Sequence, residues 1–124
     1  MNSSFVNFSN HPSEKWSKSQ RSAAEEYGTI IDIPFPTVRA DASEEEIAEL
    51  AAQMTEEILS CRPAAVMCQG EFTLTFAVVE RLKARGVRTF AACSERKVIE
   101  KERDDGAFEK TVYFEFVRFR EYRF

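Results

Sequence analysis

Between Ala64 and Val78 the chain reads AAVMCQGEFTLTFAV, an apolar run that stops at a small polar turn and passes at once into apolar residues at helical spacing. Ala64 to Cys68 has the length and apolar content of a buried strand, Gly70 permits a sharp turn, and Thr73 can accept from backbone amides where a helix opens. A strand, a tight loop and a helix start in that order point to an open α/β sheet. Ligands in such sheets bind beyond the carboxyl ends of the strands, where unpaired amides and the positive end of a helix dipole meet. A plainer reading makes Gln69, Gly70, Glu71 and Thr73 a turn and a helix cap only, and this segment alone does not separate the two.

The flanking segments alternate in the same way. Ser4 to Phe8 is a short aromatic strand that ends in SNHP. Pro12 then starts a helix to about Tyr27, with Trp16, Gln20, Ala23, Ala24 and Tyr27 on one face and Gly28 closing it. Thr29 to Ile33 is a second strand, ended by Pro34-Phe35-Pro36. After a loop that carries Arg39, Ser43 and Glu46 have the spacing of a capping box, so the acidic run there reads as a helix start and not as a metal site. Ile47, Leu50, Ala51, Met54, Ile58 and Leu59 make the buried stripe of this second helix, which reaches about Ser60. The third helix, about Thr73 to Arg85, is apolar from its first turn and is expected to be the most buried; Gly86 ends it.

Val87 to Cys93 is a fourth strand with a polar exit, Ser94 to Lys97. Beyond it, Lys97 to Glu102 and Thr111 to Tyr122 read as the arms of a hairpin around Asp105-Gly106. Simple alternation puts Val112, Phe114 and Phe116 on one face of the last arm and Tyr113, Val117 and Phe119 on the other. Either both faces are covered, or one meets the core and the other, beside Arg118, Arg120 and Arg123, meets a second subunit.

This order predicts one Rossmann-like α/β domain over residues 1–124, with a mainly parallel sheet in the order two-one-three-four, three flanking helices and a C-terminal β-hairpin. The SNHP and QGEFT loops then face one another at the switch between strands one and three, with Arg39 on one side and Ser94, Arg96 and Lys97 on the other. Such a set supplies hydroxyls and amides for a base or ribose and three cations for phosphate. A nucleotide or phosphate pocket is the expectation.

Composition narrows the partners. A chain of 124 residues with 44% hydrophobic content can bury a core, and a net charge of -4 opposes binding to duplex nucleic acid or to an anionic membrane surface. Cys61, Cys68 and Cys93 form no C-x-x-C pair and suit free thiols in a reducing cytoplasm. With one His and no ligand cluster, neither a metal nor a cofactor is expected. MNSSFVNFSN has no basic or long apolar leader segment, and no run approaches the roughly 18 apolar residues of a membrane span. A cytoplasmic protein is expected.

Nucleophilic triads find no support, since His11 is the sole His and no Ser stands in a G-x-S-x-G elbow. Glu71 and Glu95 have the types of an acid and a base, but carboxylates in turns are ordinarily solvated or capping. One reaction asks little of the protein: an RNA 2′-hydroxyl attacks its neighbouring phosphate once the strand is bent into line. His11, Arg96 and Lys97 are then the catalytic candidates, as stabilisers of developing charge. His11 fits equally well as a helix cap or a base contact.

NFSNHP, the spacing of Trp16 and Gln20, IIDIPFP, QGEFTLTF, AACSERK and FEFVRFREY together resemble the small CRISPR-associated Csx-type proteins related to the CARF domain, over nearly the whole chain. The resemblance implies a CARF-like homodimer in type III CRISPR antiviral signalling, with a cyclic oligoadenylate messenger, cyclic tetra-adenylate foremost, across the two-fold. Carried over by position, Ser9, Asn10 and His11 contact a base or phosphate, Gln69, Gly70, Glu71, Phe72 and Thr73 form the floor, and Ser94, Glu95, Arg96 and Lys97 the far wall. Such relatives divide into ring nucleases and binders that sequester the messenger; with no strong acid and base pair here, sequestration is the expectation and metal-independent ring cleavage the alternative. Assembly beyond a dimer on ligand binding is a further expectation. Two rivals stay open: a nucleotide-hydrolysing Rossmann-like enzyme using Glu71, and a non-catalytic interaction domain using the terminal aromatic strand.

Overall fold

Ala65, Val66, Met67 and Cys68 are buried on both faces of the sheet, as a central parallel strand requires, and form the core of β3 (Pro63–Gln69) in the computed structural model. The structure describes residues 3–124; Met1 and Asn2, part of the stretch read above for a leader, lie outside the described residues. β3 lies between β1 (Ser4–Ser9) and β4 (Arg88–Glu102). β2 (Thr29–Pro34) is the edge beyond β1, and β5 (Phe108–Glu121) the edge beyond β4, giving the order β2-β1-β3-β4-β5. The first four strands are parallel and β5 returns antiparallel to β4, so the mixed α/β sheet with a C-terminal hairpin is as the alternation predicts.

Side-chain alternation splits the core into two layers. Val6, Phe8, Val66 and Cys68 pack against α2 (Glu44–Ser60) and α3 (Phe72–Ala84) through Met54, Ile58, Leu74 and Val78. On the other face Phe5, Ala65, Met67 and Phe90 meet Trp16, Ala24 and Phe119, the first two supplied by the segment that carries α1 (Lys18–Glu25). Phe5 is at the centre of this second layer, its ring 5.0 Å from Phe119, 5.9 Å from Tyr27 and 6.3 Å from Trp16. No helix is long and apolar enough to cross a membrane among the described residues.

Three expectations are corrected. The first helix does not run from Pro12: Ser13–Lys15 is a single 3-10 turn, Trp16 is extended, and Ser17 caps α1 by accepting from the Gln20 amide at 3.2 Å. The break is made by Asp32, which takes the Ser13 amide and hydroxyl at 3.1 Å each, and by the Trp16 indole, which donates to the His11 carbonyl at 3.0 Å. The cap of α3 is Glu71, whose carboxylate accepts the Leu74 amide at 2.8 Å, while the Thr73 hydroxyl donates to that same carboxylate at 2.6 Å. α3 is the most buried of the three helices, as expected, through Leu74, Thr75, Val78, Val79 and Leu82, although Phe72 and Phe76 on its other side stand 89% and 61% exposed.

The third correction concerns β4, which does not end at Cys93. Ser94 to Lys97 continue it into a two-stranded arm with β5, closed by a turn at residues 103–107. Cys93 pairs with Arg118 but Ser94 pairs with Phe116, so Val117 is an extra residue, a β-bulge. Because strand side chains alternate with period two, one extra residue exchanges the faces of everything beyond it. Phe116 and Phe119 therefore lie on the same face, 5.0 Å apart, where simple alternation had separated them.

Gly70 also serves a role the turn did not announce. A Cβ there would stand 2.5 Å from the ring of Phe35, itself 5% exposed, so the missing side chain leaves room for a core aromatic.

Candidate functional site

The loop after β1 is held from below by a polar network. Asn7, 1% exposed, donates to the His11 carbonyl at 2.9 Å and to Asp32 at 3.1 Å, and accepts from the Ser9 hydroxyl at 2.6 Å. The same hydroxyl accepts the His11 amide at 3.2 Å. Asp32 and the Trp16 indole tie the next residues, and Arg21 donates to the Ser13 carbonyl. A buried amide with its partners satisfied rigidifies its surroundings. The backbone of His11 is thus fixed on both its polar groups, while its imidazole is left at the surface of the adjoining cleft.

That cleft, of about 880 Å³, opens at the carboxyl ends of β1 and β3 on the α1 face of the sheet. Ser9, Asn10 and His11 form one lip, and Gln69 and Gly70 the end of its floor; Met67, Trp16 and Gln20 lie deeper. Gln69 is oriented by accepting the Ala92 amide across the gap where β4 has left β3. Gln20, 7% exposed, directs its amide at the Met67 sulfur, 3.8 Å away. The far wall is the arm, through Ser94, Phe114 and Phe116, which the bulge at Val117 has turned to this side. Lys15 is the one ammonium on the wall, and among the described lining residues there is no carboxylate. In a chain of net charge -4, this is a local surface suited to an anion.

Of the residues singled out in the sequence, Ser9, Asn10, His11, Gln69, Gly70 and Ser94 come together here. Arg96 pairs with Phe114, so it shares the cleft-facing side of the arm but lies farther out. Glu95 and Lys97 occupy the opposite side, joined at 3.1 Å, and that bond holds the Lys97 ammonium above its usual range. Arg39 is paired with Asp41 at 3.0 Å beside a separate hollow of about 150 Å³, with Thr37, Val38 and Ile47. Glu71 and Thr73 are engaged with each other and with the α3 amides, and the Thr73 hydroxyl and Leu74 amide hold the Glu71 carboxyl below the usual carboxylate range. The positive end of α3 therefore already has its own anion, and Phe72, the first helical residue, points to solvent. Lys15, Trp16, Gln20, Phe114 and Phe116 join the wall although no loop motif marks them. Trp16 and Gln20 were legible as a spaced pair on a helix face, but the two Phe rings depend on the bulge.

Burial pushes the Cys68 thiol up to about 12, and Tyr122, which donates to the Cys68 carbonyl at 2.7 Å, is likewise raised to about 12. Cys61 and Cys93 are half-buried and free.

A family model matches residues 3–120, from the start of β1 to near the end of β5. The chain belongs to the uncharacterized protein MJ1673 family. Both lips of the cleft and the whole arm are inside the stretch that the MJ1673 family model matches. No curated protein matches the chain.

Proposed function

We propose that the protein binds a cyclic oligoadenylate, cyclic tetra-adenylate first among them, in this cleft and across a homodimer, and lowers the free messenger of a type III CRISPR response by sequestration. The observation that carries the reading is a switch-point cleft whose wall combines carboxamides, phenyl rings and an ammonium and holds no carboxylate. Asn10 offers an amide of the kind that recognises the N6 and N7 edge of adenine, with the Gln69 side-chain NH2 beside it as a further donor. Phe114 and Phe116 offer faces on which bases stack, and Lys15 offers charge to phosphate. The ring form of the ligand is what the resemblance in NFSNHP, QGEFTLTF and AACSERK implies.

Binding without cutting suits a wall made of groups that hold and orient. Cleavage through the 2′-hydroxyl needs only one charge stabiliser beside a bent strand, and the His11 imidazole at the lip is the group for it. The test is to mix excess protein with labelled cyclic tetra-adenylate and divide the sample between a native gel and a denaturing separation. A shifted band with an intact ring is expected. A shift with linear products that vanish in His11→Ala makes the protein a ring nuclease, and no shift overturns the reading.

A further inference from the structure

Beyond Phe90, β4 has no neighbour but β5, and from Ser94 to the turn the pair leaves the sheet as a two-stranded ribbon. An isolated two-stranded ribbon is marginal in water unless a third layer covers it. This one carries Val98 and Val112 at 45% and 47% exposure, and Phe108 and Phe114 at 69% and 70%. All four occupy the face that continues the cleft wall, because Arg96 pairs with Phe114, Val98 with Val112, Glu100 with Lys110 and Glu102 with Phe108. The opposite face alternates Glu95, Lys97, Lys101 and Glu109 with Ile99 and Tyr113.

We infer that the cleft-side face of this arm is a two-fold interface with a second copy of the chain, and that the partner's hairpin tip closes the cleft. The pattern along the face is its own complement. A two-fold axis across the arm at the Val98–Val112 pair reverses the strand direction, so each position meets the one equally far on the other side. Arg96 then meets the partner's Glu100, Phe114 meets the partner's Lys110, and the valines meet their own copies. Cation and carboxylate, and cation and ring, come opposite each other with no like charges opposed. The four exposed apolar side chains provide roughly 400 Å² per copy. With the surrounding Arg96, Glu100 and Lys110 the face approaches the roughly 800 Å² per partner of a standard interface. The same operation carries the partner's Phe108 to Phe116 at the cleft mouth, so each site is completed by the other chain. This names the surface of the homodimer in the proposed function and rests on that reading only for the ligand.

The experiment measures the mass of the full chain by sedimentation equilibrium, with ligand binding followed separately. The wild type is expected at twice the 14.2 kDa chain mass. Arg96→Glu and Glu100→Arg, each alone, oppose like charges at both symmetry-related contacts and are expected to weaken association at least tenfold. A one-to-one mixture of the two variants pairs Glu with Arg at both contacts and is expected to recover the dimer. Val98→Glu is expected to give a monomer, while Ile99→Glu, on the other face, leaves the dimer intact. A monomeric wild type, a mixture that stays monomeric, or equal disruption by Ile99→Glu overturns the interface. A dimer that ignores cyclic tetra-adenylate keeps the interface and removes the ligand; a monomer that binds it does the reverse.

Discussion

Thr89 is fully buried at the start of β4 and its hydroxyl has no hydrogen-bond partner. An unsatisfied buried hydroxyl carries its desolvation cost without return, so Thr89→Val, nearly the same shape, is expected to stabilise the protein by about 1 kcal/mol. Urea unfolding would show a higher midpoint at unchanged slope; a lower midpoint would mean the hydroxyl is bonded in solution. Glycine, serine and asparagine at the cleft show how single residues can be read for type and missed for role. Ser9, Asn10 and His11 were legible as a loop where a strand ends. That Asn7, inside the strand, is the post on which the loop is tied was not, because its three bonds go to residues up to 25 positions away. By its type Gly70 is a turn residue, and its close neighbour is the ring of Phe35 from the other side of the switch point.

At the scale of elements the bulge at Val117 decides the site. Without it Phe114 and Phe116 would face the α3 side of the sheet, and Tyr113 and Glu115 would face the cleft. Inserting one alanine between Cys93 and Ser94, which gives Val117 a partner, is expected to restore simple alternation, leave Phe119 in the core, and exchange the two faces of the arm. Affinity for cyclic tetra-adenylate should fall at least tenfold while the circular dichroism of the sheet and helices persists; undiminished affinity would show that the Phe rings take no part. β4 gives the complementary lesson. Its polar stretch Ser94 to Lys97 reads as a loop because loops are polar, but strand pairing with β5 satisfies the backbone there and solvent takes the side chains. The α1 segment fails differently, since Asp32 and Trp16 compete successfully for the polar groups that a continuous helix would have used.

On the scale of the whole molecule the two core layers and the arm are separable. Every residue of both clusters lies outside positions 98–112, so replacing that stretch by an Asn-Gly turn is expected to leave a cooperatively folded body. Its thermal midpoint should fall by only a few degrees, on the order of what 1 kcal/mol produces in a domain of this size, and its mass should be that of a monomer. Loss of the cooperative transition would show that the arm supports the body. The alternation of strand and helix, the sheet order and the capping of α2 were determined by the sequence alone, because each rests on local periodicity, a cap or the handedness of a crossover. The register of β5, the face its aromatics present and the network beneath His11 were decided only by tertiary structure. They depend on pairings between residues far apart in the chain, where one added residue reverses a face and no local pattern records it.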